Sequence, residues 1–89
     1  MTIAAPPATV RLLLFAVYRD LASGRSAIDV EVPAGADVAA ALEAARAAEP
    51  ALARLPARPV VAVNREYADL STPLADGDEV ALLPPVAGG

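Results

Sequence analysis

Apolar and polar residues alternate along this chain with two distinct periods. From Val10 to Val17 the sequence is apolar except at Arg11, a continuous run that predicts a strand buried on much of both faces. Period two divides it, with Leu12, Leu14 and Ala16 on one side and Leu13, Phe15 and Val17 on the other. Ser23-Gly24 is a turn signal. Ala27 to Val32 then alternates cleanly, Ile28, Val30 and Val32 pointing one way and Asp29 and Glu31 to water. The two strands are close enough in sequence to form a hairpin.

The period changes after Pro33-Ala34-Gly35. Asp37 has the character of a helix N-cap. Val38, Ala41, Leu42 and Ala45 fall at helical spacing and form one apolar stripe. Arg46 lies near the C-terminal end, where the helix dipole favours a cation, and Pro50 ends the helix. Leu52 and Leu55 anchor a short extra turn. Val60 to Val63 reads as a short strand, Asn64-Arg65-Glu66 as a tight turn and Tyr67 as the start of a brief return strand. Asp76-Gly77-Asp78 is a turn that launches a final strand from Glu79 to Leu83, with Val80 and Leu82 on one face and Ala81 and Leu83 on the other. The order β-β-α-β-(β)-β predicts an α+β fold. If the last strand pairs in parallel with the first, it is central, as in a β-grasp. One main helix covers one face of a mixed sheet, and Leu13, Phe15, Val17 and Leu83 fall on the face without a helix.

Composition narrows the chemistry. The 89 residues carry a net charge of −4, which disfavours nucleic acid and anionic membranes as partners and favours a basic docking surface. There is no cysteine and no histidine. Structural zinc sites, disulfides, thiol nucleophiles and the usual Ser-His triad are therefore excluded. Any sulfur carried by the chain cannot be a cysteine persulfide and has to sit on the terminal carboxyl group. All seven cations are arginine, so no ε-amine of the chain can attack an activated C-terminus. The longest apolar run is far too short to span a bilayer, and the first residues lack a charged leader region, so the chain reads as cytoplasmic. Asp76 and Asp78 are too few and too close for a calcium loop; they are turn formers, and no metal is expected.

The C-terminus carries the candidate chemistry. Residues 1–9 are expected to form a flexible lead-in, 10–83 the folded domain and 84–89 an extended tail. Pro84 and Pro85 cannot donate to a sheet ladder and should stop the last strand at Leu83. The six residues Pro84, Pro85, Val86, Ala87, Gly88 and Gly89 can reach roughly 20 Å when extended. Gly88 and Gly89 lack a β-carbon and can thread a narrow channel. A frayed chain end is the plain alternative.

Val63-Asn64, then Pro73-Leu74-Ala75-Asp76-Gly77-Asp78-Glu79-Val80-Ala81, then Pro84-Pro85-Val86-Ala87-Gly88-Gly89, at this spacing, resembles the small sulfur-carrying subunit of molybdopterin synthase. Leu14-Phe15-Ala16 followed by Arg19-Asp20 resembles that family's first strand. The resemblance runs from Val10 to the C-terminus, and its most specific part is the final third. Ala87 departs from the pattern, since a small hydroxyl residue is frequent there.

The resemblance implies a ubiquitin-like β-grasp fold whose Gly89 carboxylate is adenylated by an ATP-dependent enzyme and converted to a thiocarboxylate by a sulfur donor system. The tail then enters the large synthase subunit, within a heterotetramer, and its sulfur builds the dithiolene of molybdopterin from precursor Z. The carrier holds no bound cofactor, and catalytic side chains belong to the large subunit. Phe15, Arg19, Tyr67 and Leu83 are the implied partner contacts. Taken alone, Phe15 reads as core and Arg19 as solvated. Two other uses of the same terminus stay open: a thiamine-pathway sulfur carrier, against which Pro84-Pro85-Val86 argues, and a ubiquitin-like modifier joined to lysines through Gly89. An inert β-grasp binding module is the third alternative.

Overall fold

The computed structural model describes residues 6–84. Strand β1 (Ala8–Leu14) is followed by a short helix α1 (Val17–Leu21), strand β2 (Ala27–Val32) and helix α2 (Val38–Ala48). A 3-10 turn spans Pro50–Arg54, and strands β3 (Val60–Val63), β4 (Glu66–Ala68) and β5 (Glu79–Leu83) complete the domain. The five strands form one mixed sheet in the order β2-β1-β5-β3-β4. β5 lies centrally, parallel to β1 and antiparallel to β3. This is the α+β β-grasp arrangement that the strand order predicts, and β5 stops at Leu83, immediately before the prolines.

The core lies between the sheet and α2. Val10, Leu12 and Leu14 of β1 meet Ile28, Val30 and Val32 of β2, Val61 of β3 and Val80 and Leu82 of β5. Val38, Ala41, Leu42 and Ala45 of α2 close that layer, and Leu52, Leu55 and Leu74 seal its margins. The inward residues of each strand sit two apart, as the pleat demands. Leu12, Leu42, Val80 and Leu82 are almost completely removed from water.

The start of α2 is built by a distant loop. A helix leaves its first N–H groups without internal partners. Here Val38 N–H donates to the Thr72 carbonyl at 3.1 Å, Ala39 N–H to the Leu70 carbonyl at 3.0 Å and Ala40 N–H to the Asp37 carboxylate at 3.0 Å. The loop is held in turn by Asp69, which accepts from the Ser71 hydroxyl at 2.6 Å and the Ser71 N–H at 2.9 Å. The Ser71 hydroxyl bond foremost, then the Ser71 N–H, hold the Asp69 carboxyl below its ordinary value, with desolvation working the other way. Because the folded value is the lower one, this contribution is complete above the unfolded value and is lost as pH falls through the folded value. Asp69→Asn is therefore expected to make the melting temperature less dependent on pH on the acid side. An unchanged acid limb in that variant would remove Asp69 from the account.

Residues 15–22 correct the sequence expectation. Val10–Val17 does not continue as one strand: β1 ends at Leu14, and Ala16 takes a positive φ of 50°. Phe15 then accepts from Tyr18 N–H at 3.0 Å, and α1 begins. The physical reason is burial. Turning the chain here lets α1 bring both Tyr18 and Ala22, one helical turn apart, into the core. Tyr18, Leu21 and Ala22 stand at helical spacing, a signal overshadowed by the strand-like run before them. β1 also starts at Ala8, earlier than the apolar run indicates, because Thr9 is anchored by N–H donation to Asp76 at 2.8 Å and by accepting from Gly77 N–H at 2.8 Å.

Two turns fix the end of the sheet remote from Leu83. Asn64 and Arg65 both have positive φ (49° and 73°), the combination that a two-residue hairpin between antiparallel strands requires. Asn64 also bridges to the next turn: its side chain donates to Asp78 at 3.0 Å and accepts from Glu79 N–H at 3.0 Å. Asp78 accepts from Ala75 N–H at 2.8 Å. Both aspartates thus serve as turn formers, and Gly77 at φ 87° occupies the left-handed region where its lack of a side chain is required.

Candidate functional site

The register of the sheet generates an apolar surface opposite α2. Leu13 pairs with Ala81, Ala81 with Ala62, and Ala62 with Tyr67, so these four side chains form one row across β1, β5, β3 and β4. Leu83 pairs with Val60 in a second apolar row nearer the tail. Leu13, Phe15, Ala62, Ala81 and Leu83, with Arg65 and Glu79 on the remote side, line a shallow depression of about 420 Å³. Phe15, Val60 and Tyr67 are the large side chains left in water here, Tyr67 at 82%. A third row, Asp29, Arg11 and Glu79, is charged and ends the apolar patch. The open face therefore has an apolar half beside Leu83 and a charged half at the other end.

Of the sequence-derived contact residues, the structure brings Phe15 and Leu83 together at the depression. Tyr67 lies on the same face but at the outer edge, on β4. Arg19 is exposed on α1 and does not line the depression; among the described residues its side chain makes no hydrogen bond or ion pair. Val17, placed on the helix-free face by strand periodicity, belongs instead to α1 and is exposed. Val60, Ala62 and Ala81 were not singled out by sequence reasoning. Period two would have paired Val60 with Ala62, but only the β3–β5 register sets them beside Leu83. Pro84 closes the described chain, and Pro85, Val86, Ala87, Gly88 and Gly89 lie outside the described residues.

Apart from Arg65 and Glu79 at its remote side, the depression is lined by apolar side chains. What they supply is a flat apolar platform next to the last residue of β5. A partner seated on it lies against the point from which the C-terminal segment departs, so docking positions the chain end.

A family model described as the ThiS family matches residues 12–89. The chain belongs to the ThiS family. It is 40% identical over 80 residues to the molybdopterin synthase sulfur carrier subunit of Mycobacterium tuberculosis, covering 90% of this chain and 96% of that protein. Its fold is similar to the crystal structure of the modifier protein SAMP1 from Haloferax volcanii, with a TM-score of 0.75 at 38% identity over 91% of this chain and 99% of that one. It is also similar to a chain in the complex of subunits 1 and 2 of molybdopterin-converting factor from Helicobacter pylori, with a TM-score of 0.64 at 28% identity over 91% of this chain and 99% of the other. This ThiS-family chain thus has the mixed sheet and single long helix of the ubiquitin-like β-grasp. Among its described residues no helix is long and apolar enough to cross a membrane.

Proposed function

We propose that this chain is the sulfur carrier of a molybdopterin synthase. The observation that carries the reading is the position of Leu83, which is both part of the open apolar face and the last strand residue before the Pro-Pro-Val-Ala-Gly-Gly end. The relatives named as carrier subunits and the two-subunit complex from Helicobacter pylori support it. The large subunit covers the apolar half of the face, with Phe15 and Leu83 as anchors and Tyr67 and Arg19 as peripheral contacts, in a heterotetramer of two copies of each subunit.

The chemistry resides at Gly89. A free carboxylate is a poor acyl donor. Its oxygen attacks the α-phosphorus of ATP in an adenylating enzyme, pyrophosphate leaves, and the acyl carbon gains AMP as a good leaving group. A sulfur nucleophile from the donor system displaces AMP and leaves a thiocarboxylate. Sulfur is a stronger nucleophile than the carboxylate oxygen, and tethering it to a docked body raises its effective concentration at the pterin precursor. Attack of that sulfur on a carbon of the precursor joins the chain end to the pterin as a thioester, and water then cleaves the acyl–sulfur bond, leaving the sulfur on the pterin and regenerating the Gly89 carboxylate. The Pro84-Pro85 pair disfavours any continuation of the strand, which suits Val86, Ala87 and Gly88 to threading the partner's channel.

Incubation with the cognate adenylating enzyme, ATP and a sulfur donor is expected to raise the intact mass by about 16 Da, one oxygen exchanged for sulfur at the terminal residue. A mass gain mapping elsewhere than Gly89 would overturn the assignment. The likeness to Haloferax volcanii SAMP1 favours a second reading, conjugation to a target amine through the same activated end. Adducts joined to lysines of other proteins through Gly89 would be its signature. Chains built on this protein's own side chains are excluded, because it has no lysine.

A further inference from the structure

We propose that the free edge of β2 is a second docking strand, one that takes an extended basic segment of another protein. β2 is the outermost strand on one side of the sheet, and its six residues pair with β1 without a bulge from Ala27 to Val32. The phase of the ladder is fixed by its neighbours. Leu14 N–H donates to the Ser26 carbonyl at 2.9 Å, while Arg11 N–H donates to Asp78 and Thr9 accepts from Gly77. Even-numbered residues of β1 therefore face β2, and odd-numbered ones face β5. By the same alternation Ile28, Val30 and Val32 bond to β1, and Ala27, Asp29 and Glu31 turn their N–H and C=O groups outward. Among the described residues no loop or turn group bonds to these three backbones.

The surroundings of this edge have the shape of a strand site. A depression of about 460 Å³ wraps around it, lined on the helix side by Val30, Ala44 and Ala48 and on the open face by Thr9, Asp29 and Glu31. The two α2 residues are alanines, so the space between helix and edge is open where longer side chains would fill it. A strand laid against β2 directs alternate side chains to opposite faces. One set meets the alanine methyls and Val30, and the other meets Asp29 and Glu31.

Charge selects the occupant. Glu31 makes no ion pair among the described residues, and Asp29 shares only an exposed pairing with Arg11 at 3.1 Å. Such a pairing holds Asp29 weakly. A second copy of this chain would bring the Asp29 and Glu31 carboxylates of both copies onto one face, and like charges across a strand pair are destabilising. The same carboxylates that guard the edge against self-association admit a strand with arginine or lysine at alternate positions and small apolar residues between them. β4, the opposite edge, has only three residues and offers no comparable length.

The test is nuclear magnetic resonance on the full chain titrated with a capped octapeptide alternating arginine and valine. Amide shifts are expected at Ala27, Asp29, Glu31, Ala44 and Ala48, with slowed hydrogen exchange at the first three. A glutamate–valine peptide of the same length is expected not to bind. Glu31→Pro removes an outward N–H that the fold does not use; it should leave the remaining spectrum in place and weaken the arginine peptide by about tenfold or more. Should that variant not fold, the peptide N-methylated at alternate residues makes the same test on the wild-type chain. Undiminished binding in either case would show charge attraction without strand pairing and overturn the proposal. So would shifts centred on Leu13, Phe15 and Leu83, equal binding of the acidic peptide, or self-association through β2 in the absence of peptide.

Discussion

Deletion of Gly89 is expected to abolish sulfur delivery while leaving docking and folding intact. The last strand residue, Leu83, is fixed by its parallel pairing to β1 through the Leu14–Leu82 end of the ladder and by its antiparallel partner Val60. Anything the terminus does must therefore be done at a distance set by the number of residues that follow. One extended residue spans about 3.3–3.6 Å. A reacting atom displaced by that much is outside the near-attack range, where reacting atoms approach to roughly 3–3.5 Å and a 1 Å error can cost on the order of a hundredfold. Loss of Gly89 also presents Gly88 to the adenylating enzyme one residue short. Gly88→Val should fail similarly, because a β-branched side chain widens the chain and stiffens it where it has to thread a narrow passage. Neither change touches the core, whose residues all lie at or before Leu82. Binding to the large subunit, pterin product and melting temperature measured on the wild type and both variants separate the possibilities. Retained sulfur transfer by the deletion variant would sink tail insertion, and loss of binding in that variant would move the docking energy from the sheet face to the tail.

Most of the elements and their inward faces were readable from the sequence because each rests on local periodicity. Ile28, Val30 and Val32 alternate with two carboxylates, and Val38, Ala41, Leu42 and Ala45 repeat at helical spacing. Both patterns were sufficient to place these residues in the core. The central position of β5 was expected on condition that it pairs in parallel with β1, as it does, while the two prolines set only where it ends. What the sequence concealed was set by long-range pairing. Val60 and Ala62 belong to the candidate site only because β3 lies antiparallel to β5 in a register that sets Val60 against Leu83. Nothing in the local pattern of four apolar residues fixes that register. The Ala16 turn was hidden for a related reason. A non-glycine residue at positive φ is disfavoured locally and is adopted here because burying Tyr18 and Ala22 outweighs it. The net charge was likewise only half a guide. It favours a basic partner, but the apolar half of the open face bears none of the acidic side chains, which the register places instead with Asp29 and Glu79 at its other end.

Leu82→Ala and Leu83→Ala are expected to have opposite consequences, although the two residues are adjacent. Leu82 pairs with Leu14 and Val61 and is fully buried in the core, whereas Leu83 is half-buried on the open face beside Phe15. Truncating Leu82 removes methyl groups from a close-packed site that can relax only partly. The cost is roughly 2–5 kcal/mol of folding stability. For a domain of this size each kcal/mol moves the melting temperature by about 4–8 °C, so the variant should melt about eight degrees lower or more, or fail to fold at the growth temperature. Leu83→Ala leaves no enclosed cavity and should change the melting temperature little. Its loss appears instead in binding to the large subunit, at roughly 1–3 kcal/mol, the range for an apolar anchor desolvated at an interface centre. Phe15→Ala should behave as Leu83→Ala does, since both line the same depression. Their double variant should lose less than the sum of the single effects, because neighbours in one cluster share contacts. Thermal denaturation and titration with the large subunit distinguish the pair. If Leu83→Ala and Phe15→Ala unfold the protein as Leu82→Ala does, the open face is core in solution and the docking platform does not exist. If both keep full affinity and full stability, the partner sits elsewhere, and the position of Leu83 beside the chain end no longer explains delivery.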